Sequence, residues 1–106
     1  MAFGITKEDL RDWKEKANNG EIAFLTHYWL DDRFPNTYTV TKVACSNKDR
    51  LYTWGKQYGL KPEWIHDRDH FPHFDLLGEW QREILKKEGL YNQLLKLEKR
   101  REGKGI

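Results

Sequence analysis

Four histidines, His27, His66, His70 and His73, occupy the middle of a 106-residue chain, and acidic residues lie beside each of them. His27 is followed by Asp31, Asp32 and Arg33; His66 opens the run Asp67-Arg68-Asp69-His70; His73 stands two before Asp75. Imidazole and carboxylate are the groups that move protons near neutral pH and that ligate divalent ions. Arg33 adds a guanidinium fork matching phosphate or carboxylate, in a loop beside Phe34. Trp29, Trp64 and Phe74 lie within two positions of His27, His66 and His73. Aromatic planes beside such donors suit a flat phosphorylated ligand, a nucleotide derivative above all. The competing account is that most rings in a small domain are core.

For a metal ion, His73 and Asp75 can coordinate from an extended segment, with Asp31 as a third ligand. His66 and His70 have i, i+4 spacing, which needs a helix that Asp67-Arg68-Asp69 and Pro72 disfavour. Adjacent Asp31 and Asp32 point opposite ways in an extended chain, so one of them serves a site unless the chain turns. Asp75 has a second role open to it. It precedes the periodic segment Leu76–Glu88, where a carboxylate caps a helix and meets the positive dipole end.

The elements that must position these groups are readable in part. Thr6 and Asp9 form a helix-start signature, with Leu10, Trp13 and Ala17 as one apolar stripe of a cover helix over residues 1–20. Residues 21–30 are apolar on both parities and predict a central strand covered on both sides. Residues 38–45 are β-branched and predict a second strand. Pro35 and Asn36 mark the loop between them. Ser46 with Asp49 predicts a second helix start, carrying Leu51, Trp54 and Tyr58 and stopping at Gly59 and Pro62. Trp64-Ile65-His66 predicts a very short third strand, Leu76–Gly89 a third helix, and Leu90, Leu94 and Leu97 a fourth helix or an extension. The expectation is a single small α/β domain: a two- or three-stranded sheet packed by three to four helices, with its core over 21–97 and a basic, frayed tail over 98–106. Strand ends and helix starts then bring the histidine segments to one rim.

Composition narrows the class. Nineteen Lys and Arg against seventeen Asp and Glu leave a net charge of +2, which excludes a polybasic or strongly acidic binder. Residues 86–106 hold seven Lys and Arg against three Glu; nucleic-acid contact there is a lesser reading than a solvated helix face. One cysteine, Cys45, excludes an intrachain disulfide and a Cys-rich zinc site. No run approaches the roughly 18 apolar residues of a membrane span, and the first residues lack a secretory core, so a cytoplasmic location is expected. Fifteen aromatic residues argue against disorder and make a homodimer one expectation.

With Asp31-Asp32-Arg33, Gly59-Leu60, Trp64-x-His66 and Pro72-His73-Phe74-Asp75-Leu76 laid out, the chain resembles a small domain-of-unknown-function family of bacteria and phages. The likeness spans roughly residues 24–90, and Pro-His-[Tyr/Phe]-Asp is its most specific part. It implies that Asp31, Asp32, Trp64, His66, His73 and Asp75 are the residues to test, without implying a chemistry. Lys42-Val43 and Cys45-Ser46 depart from the His-Leu and Ala-Asp of that pattern.

Three functions follow as expectations. The first is a binding domain for a phosphorylated, nucleotide-derived ligand, a sequestering protein of the phage type by analogy, with Arg33, His27, Asp32, Trp64, His66, His73 and Asp75 as its contacts. The second is a metal-dependent phosphodiesterase or nuclease, with a divalent ion on His73, Asp75 and Asp31 and His66 moving a proton. The third is a protein-interaction domain whose histidines are incidental.

Overall fold

The computed structural model describes residues 5–29, 31–35, 37–67 and 71–104, with backbone only from residue 100. Its elements are α1 (Lys7–Asn18), β1 (Ala23–Tyr28), β2 (Thr39–Ala44), α2 (Lys48–Lys56), a 3-10 turn (Pro62–Trp64), β3 (His73–Leu76), α3 (Gly78–Lys87) and α4 (Tyr91–Lys104). The strands form one antiparallel sheet in the order β1-β2-β3, so the protein is a small α/β domain of three strands and four helices.

Helix α1 begins as its sequence demands. The Thr6 hydroxyl accepts from the Asp9 amide at 3.0 Å, and the Asp9 carboxylate accepts from the Thr6 amide at 3.1 Å. Helix α2 starts one residue later than expected. Asn47 is its cap, accepting from the Arg50 amide at 3.1 Å, because Ser46 is committed to the end of α1 through the Ala17 and Asn18 carbonyls. Strand β1 lies at the sheet edge, not the centre. Its apolar character on both parities has another cause: Ala23 packs with Ala17 and Trp13 on one face, while Phe24 meets Trp54 on the other.

The largest difference lies in residues 64–78. Trp64 belongs to a 3-10 turn, and His66 makes a single bridge to His73 where a third strand was expected. The third strand is His73–Leu76, paired with β2 through Thr41↔Leu76, Lys42↔Asp75, Val43↔Phe74 and Ala44↔His73. Asp75 is therefore mid-strand, and the helix cap expected of it does not exist: α3 begins at Gly78 after Leu77, which supplies no side-chain cap bond. The sheet satisfies the Phe74 and Leu76 backbone, and Gly78, at φ +55°, makes the turn into the helix. Helix α4 runs on through residues 98–104.

One face of the sheet packs Val43, Phe74 and Leu76 against Leu51 and Trp54 of α2 and Ile84 of α3. The same face carries a buried polar layer. Thr26 and Thr41 share a hydroxyl bond at 2.7 Å; the Gln81 amide donates to Thr41 at 3.0 Å and accepts from Thr39 at 3.1 Å, and Gln93 accepts from Thr26 at 2.9 Å. Those bonds fix α3 and α4 to particular strand positions, which apolar contact alone does not do. Trp13 donates its indole N–H to the Ala23 carbonyl, and at the outer edge of β1 Gln93 donates to the Phe24 carbonyl.

A helical glycine tests the tightness of this core. A methyl group on Gly55 comes within 2.7 Å of the buried Phe74 ring. Gly55→Ala should lower stability by about 1–3 kcal/mol despite its gain in helix propensity. An unchanged denaturation midpoint would refute that packing.

Candidate functional site

Alternation along β3 sends Phe74 and Leu76 to the core and His73 and Asp75 to the opposite face. The register then sets Lys42 of β2 directly opposite Asp75. The His66–His73 bridge, closed by backbone bonds of 2.8 and 2.9 Å, adds His66 to the same face from beyond the β3 edge. The outcome is one compact group. Lys42 Nζ lies 3.3 Å from Asp75 Oδ1, while His66 Nε2 and His73 Nε2 lie 3.4 and 3.8 Å from Asp75 Oδ2. The two imidazoles stack with centroids 5.3 Å apart. His73 donates from Nδ1 to the Phe71 carbonyl at 3.0 Å, which fixes its ring with Nε2 toward the carboxylate. Each imidazole attracts Asp75 only when Nε2 carries a proton.

These groups border a cleft of about 680 Å³ that runs across β2 and past β3. Lys42, His66 and Asp75 line it, together with Arg33, Trp64 and Trp80. Trp29 and Phe34 form part of its wall, and Glu63 adds a second carboxylate. Trp64 and Trp80 meet edge to face at 5.7 Å, and both remain more than two-fifths exposed. The volume falls within the range of about 300–1,000 Å³ usual for small-molecule sites.

Arg33 reaches the cleft already paired. Its Nε and Nη2 donate to Asp31 at 3.0 and 2.7 Å, and its guanidinium lies 5.6 Å over the Phe34 ring. The Arg33 side-chain and backbone bonds hold the Asp31 carboxyl down to about 2. Asp31 is thereby committed, and the expected metal set of His73, Asp75 and Asp31 does not assemble. No group of three His, Cys, Asp or Glu side chains among the described residues is arranged to hold a metal ion. Asp32 is exposed and does not line the cleft. His70, with Arg68 and Asp69, lies outside the described residues.

His27 is also not a cleft residue. Only 3% of it is exposed, its Nδ1 donates to the Tyr28 carbonyl at 2.8 Å, and its Nε2 is buried with no hydrogen-bond partner. Burial pushes this imidazole below its ordinary value; the Tyr28 bond opposes the shift and Lys42 adds to it. Thus Arg33, Trp64, His66 and Asp75 share the cleft, His73 buttresses it from behind His66, and His27 belongs to the interior.

Two cleft residues were not among the candidates from sequence. Lys42 registered only as a departure from a motif, yet its place as a lone cation in Thr-Val-Thr-Lys-Val-Ala is the signal that could have found it. Trp80 falls inside the segment expected as a third helix; it sits in the first turn of α3 and is exposed.

The chain is 58% identical over 96 residues to the uncharacterized protein YneQ of Bacillus subtilis (strain 168), which covers 91% of this chain and 97% of that protein. No family model matches it, and no solved structure does. Among the described residues, no helix is long and apolar enough to cross a membrane.

The buried His27 sets an acid limit. Its folded-state value lies below the ordinary 6.5, so the unfolded chain binds the proton first. Stability from this group is complete above about pH 6.5 and falls as pH drops through the window beneath it. The melting temperature should therefore fall more steeply between pH 7 and pH 5 for wild type than for His27→Gln. Parallel slopes for the two proteins would remove His27 as the cause.

Proposed function

The chain belongs to the family of YneQ, and we propose that its cleft binds a small phosphorylated ligand with a flat ring, a nucleotide derivative. The observation that carries this reading is the meeting of Arg33, Lys42 and His66 with Trp64 and Trp80 around one hollow. A guanidinium, an ammonium and an imidazole supply donors to phosphate oxygens, and the exposed indoles supply faces for a base.

Both permanent cations already have carboxylate partners, so binding is an exchange. The Arg33–Asp31 pair is open to water, and pairs of that kind are weak enough to yield to a phosphate. Lys42 is more sheltered, with a third of its side chain exposed, and its flexible stem lets Nζ swing from Asp75 to the ligand. A proton on His66 then strengthens both the Asp75 contact and the ligand contact.

The resemblance to phage-borne domains supports a sequestering role, in which the ligand is held and not consumed. The metal-dependent hydrolase reading lacks its third ligand among the described residues, since Asp31 is held by Arg33.

Calorimetric titration with nucleoside monophosphates tests the proposal. Arg33→Ala and Lys42→Met should each weaken binding by about tenfold or more, the usual effect of losing a charged hydrogen bond. Raising salt should weaken it further, and the nucleotide should be recovered intact after the protein is denatured. Absence of binding, or wild-type affinity in both variants at unchanged melting temperature, defeats the proposal. Cleavage products that appear with added Mn²⁺ and vanish with EDTA would replace it with the hydrolase.

A further inference from the structure

The cleft holds two aromatic pairs, supplied by different parts of the chain. Trp29 and Phe34, with centroids 5.8 Å apart, come from the β1–β2 connection. Trp64 and Trp80, 5.7 Å apart, come from the 3-10 turn and the first turn of α3. Among the described residues no ring contact joins one pair to the other. Strand order fixes what lies between them. Trp29 continues β1, bonding its amide to the Tyr38 carbonyl, and falls on the same parity as Leu25, whose partner across the sheet is Lys42. Trp64 lies past the outer edge of β3, two residues before the His66 bridge. Lys42 on β2 and Asp75 on β3 therefore stand between the pairs.

The arrangement reads platform, cation, platform. We infer that the ligand is a dinucleotide: two flat rings joined through a phosphodiester, one ring on each aromatic pair and the phosphate at Lys42, His66 and Arg33. This rests on the cleft being the ligand site proposed above, and adds the class of ligand it takes.

Charge supports a single bridging phosphate over a polyphosphate tail. Arg33 and Lys42 carry two positive charges against three negative ones on Asp31, Asp75 and Glu63, so a proton on His66 brings the group only to neutrality. One phosphodiester carries one negative charge. A triphosphate brings three or four into a lining that cannot offset them. The rings themselves are open to receive a base: Phe34 and Trp64 are each 41% exposed and Trp80 is 44% exposed. Stacking on such faces tolerates different bases, so the two-platform layout selects for ring number before base identity.

The full chain is titrated with the dinucleoside monophosphates ApA, GpG and UpU, with AMP, GMP and UMP, and with ATP, at one salt concentration. At least one dinucleotide should bind about tenfold tighter than its mononucleotide, and tighter than ATP, as expected for one added stacked base. Trp29→Ala and Trp64→Ala should each bring that ratio down toward one. Phe34→Ala, on the exposed side of the first pair, replaces Trp29→Ala if the latter fails to fold. Mononucleotides or ATP binding as tightly as every dinucleotide overturns this inference while leaving the proposed function standing. No binding by any of the seven compounds overturns both.

Discussion

The four residues of β3 carry the constraint on which the rest depends. Their alternation assigns Phe74 and Leu76 to the core and His73 and Asp75 to the opposite face, where Asp75 enters the cleft, and the pairing with β2 locks that assignment. A slip of one residue would turn the Asp75 carboxylate into the core while exposing a phenyl ring that is 1% accessible. Truncating a ring so buried costs about 3–5 kcal/mol in comparable cores. Core and site are thus two sides of one short strand. The geometry of Asp75 is held by the packing of its neighbours and needs no bond of its own to a helix.

Around that strand the electrostatics are built from pairs. Asp75 gathers Lys42 and two imidazoles; Asp31 takes both faces of the Arg33 fork. Neither carboxylate is fully enclosed, which matters because a buried ion pair must overcome a large desolvation cost. His27 is the contrasting case. On the same face of the sheet but closed off from water, it has its charged form disfavoured by burial and its Nε2 left without a partner. The same residue type thus serves in two environments, distinguished by access to solvent and not by sequence.

Much of the fold was legible in the chain because local signals agreed with tertiary demands. The Thr6–Asp9 box starts α1, and Gly59, at φ +82°, ends the segment after α2 as its position implied. Legibility failed at Pro72–Leu77, where a helix-cap pattern and a strand compete for one stretch. Local capping is worth about 1 kcal/mol, whereas pairing with β2 satisfies a row of backbone groups and buries Phe74 and Leu76, so the sheet prevails. Of the site, Arg33, Trp64, His66 and Asp75 could be named from residue type, since unusual donors cluster beside aromatics. Lys42 and Trp80 could not, because only the strand register and the placement of α3 bring them to the cleft. The burial of His27 was equally hidden, being decided by which face of β1 is covered.

A three-stranded antiparallel sheet has two outer strands, and exposed rows of amide and carbonyl groups invite pairing with another chain. Here the free edge of β1 meets the Gln93 amide of α4 at the Phe24 carbonyl, and the free edge of β3 meets the His66 bridge from the segment before it. A side chain on one border and a backbone bridge on the other take up groups that a foreign strand would otherwise pair with. Covering an edge in this way is a means by which sheet proteins limit the edge-to-edge pairing that builds fibres.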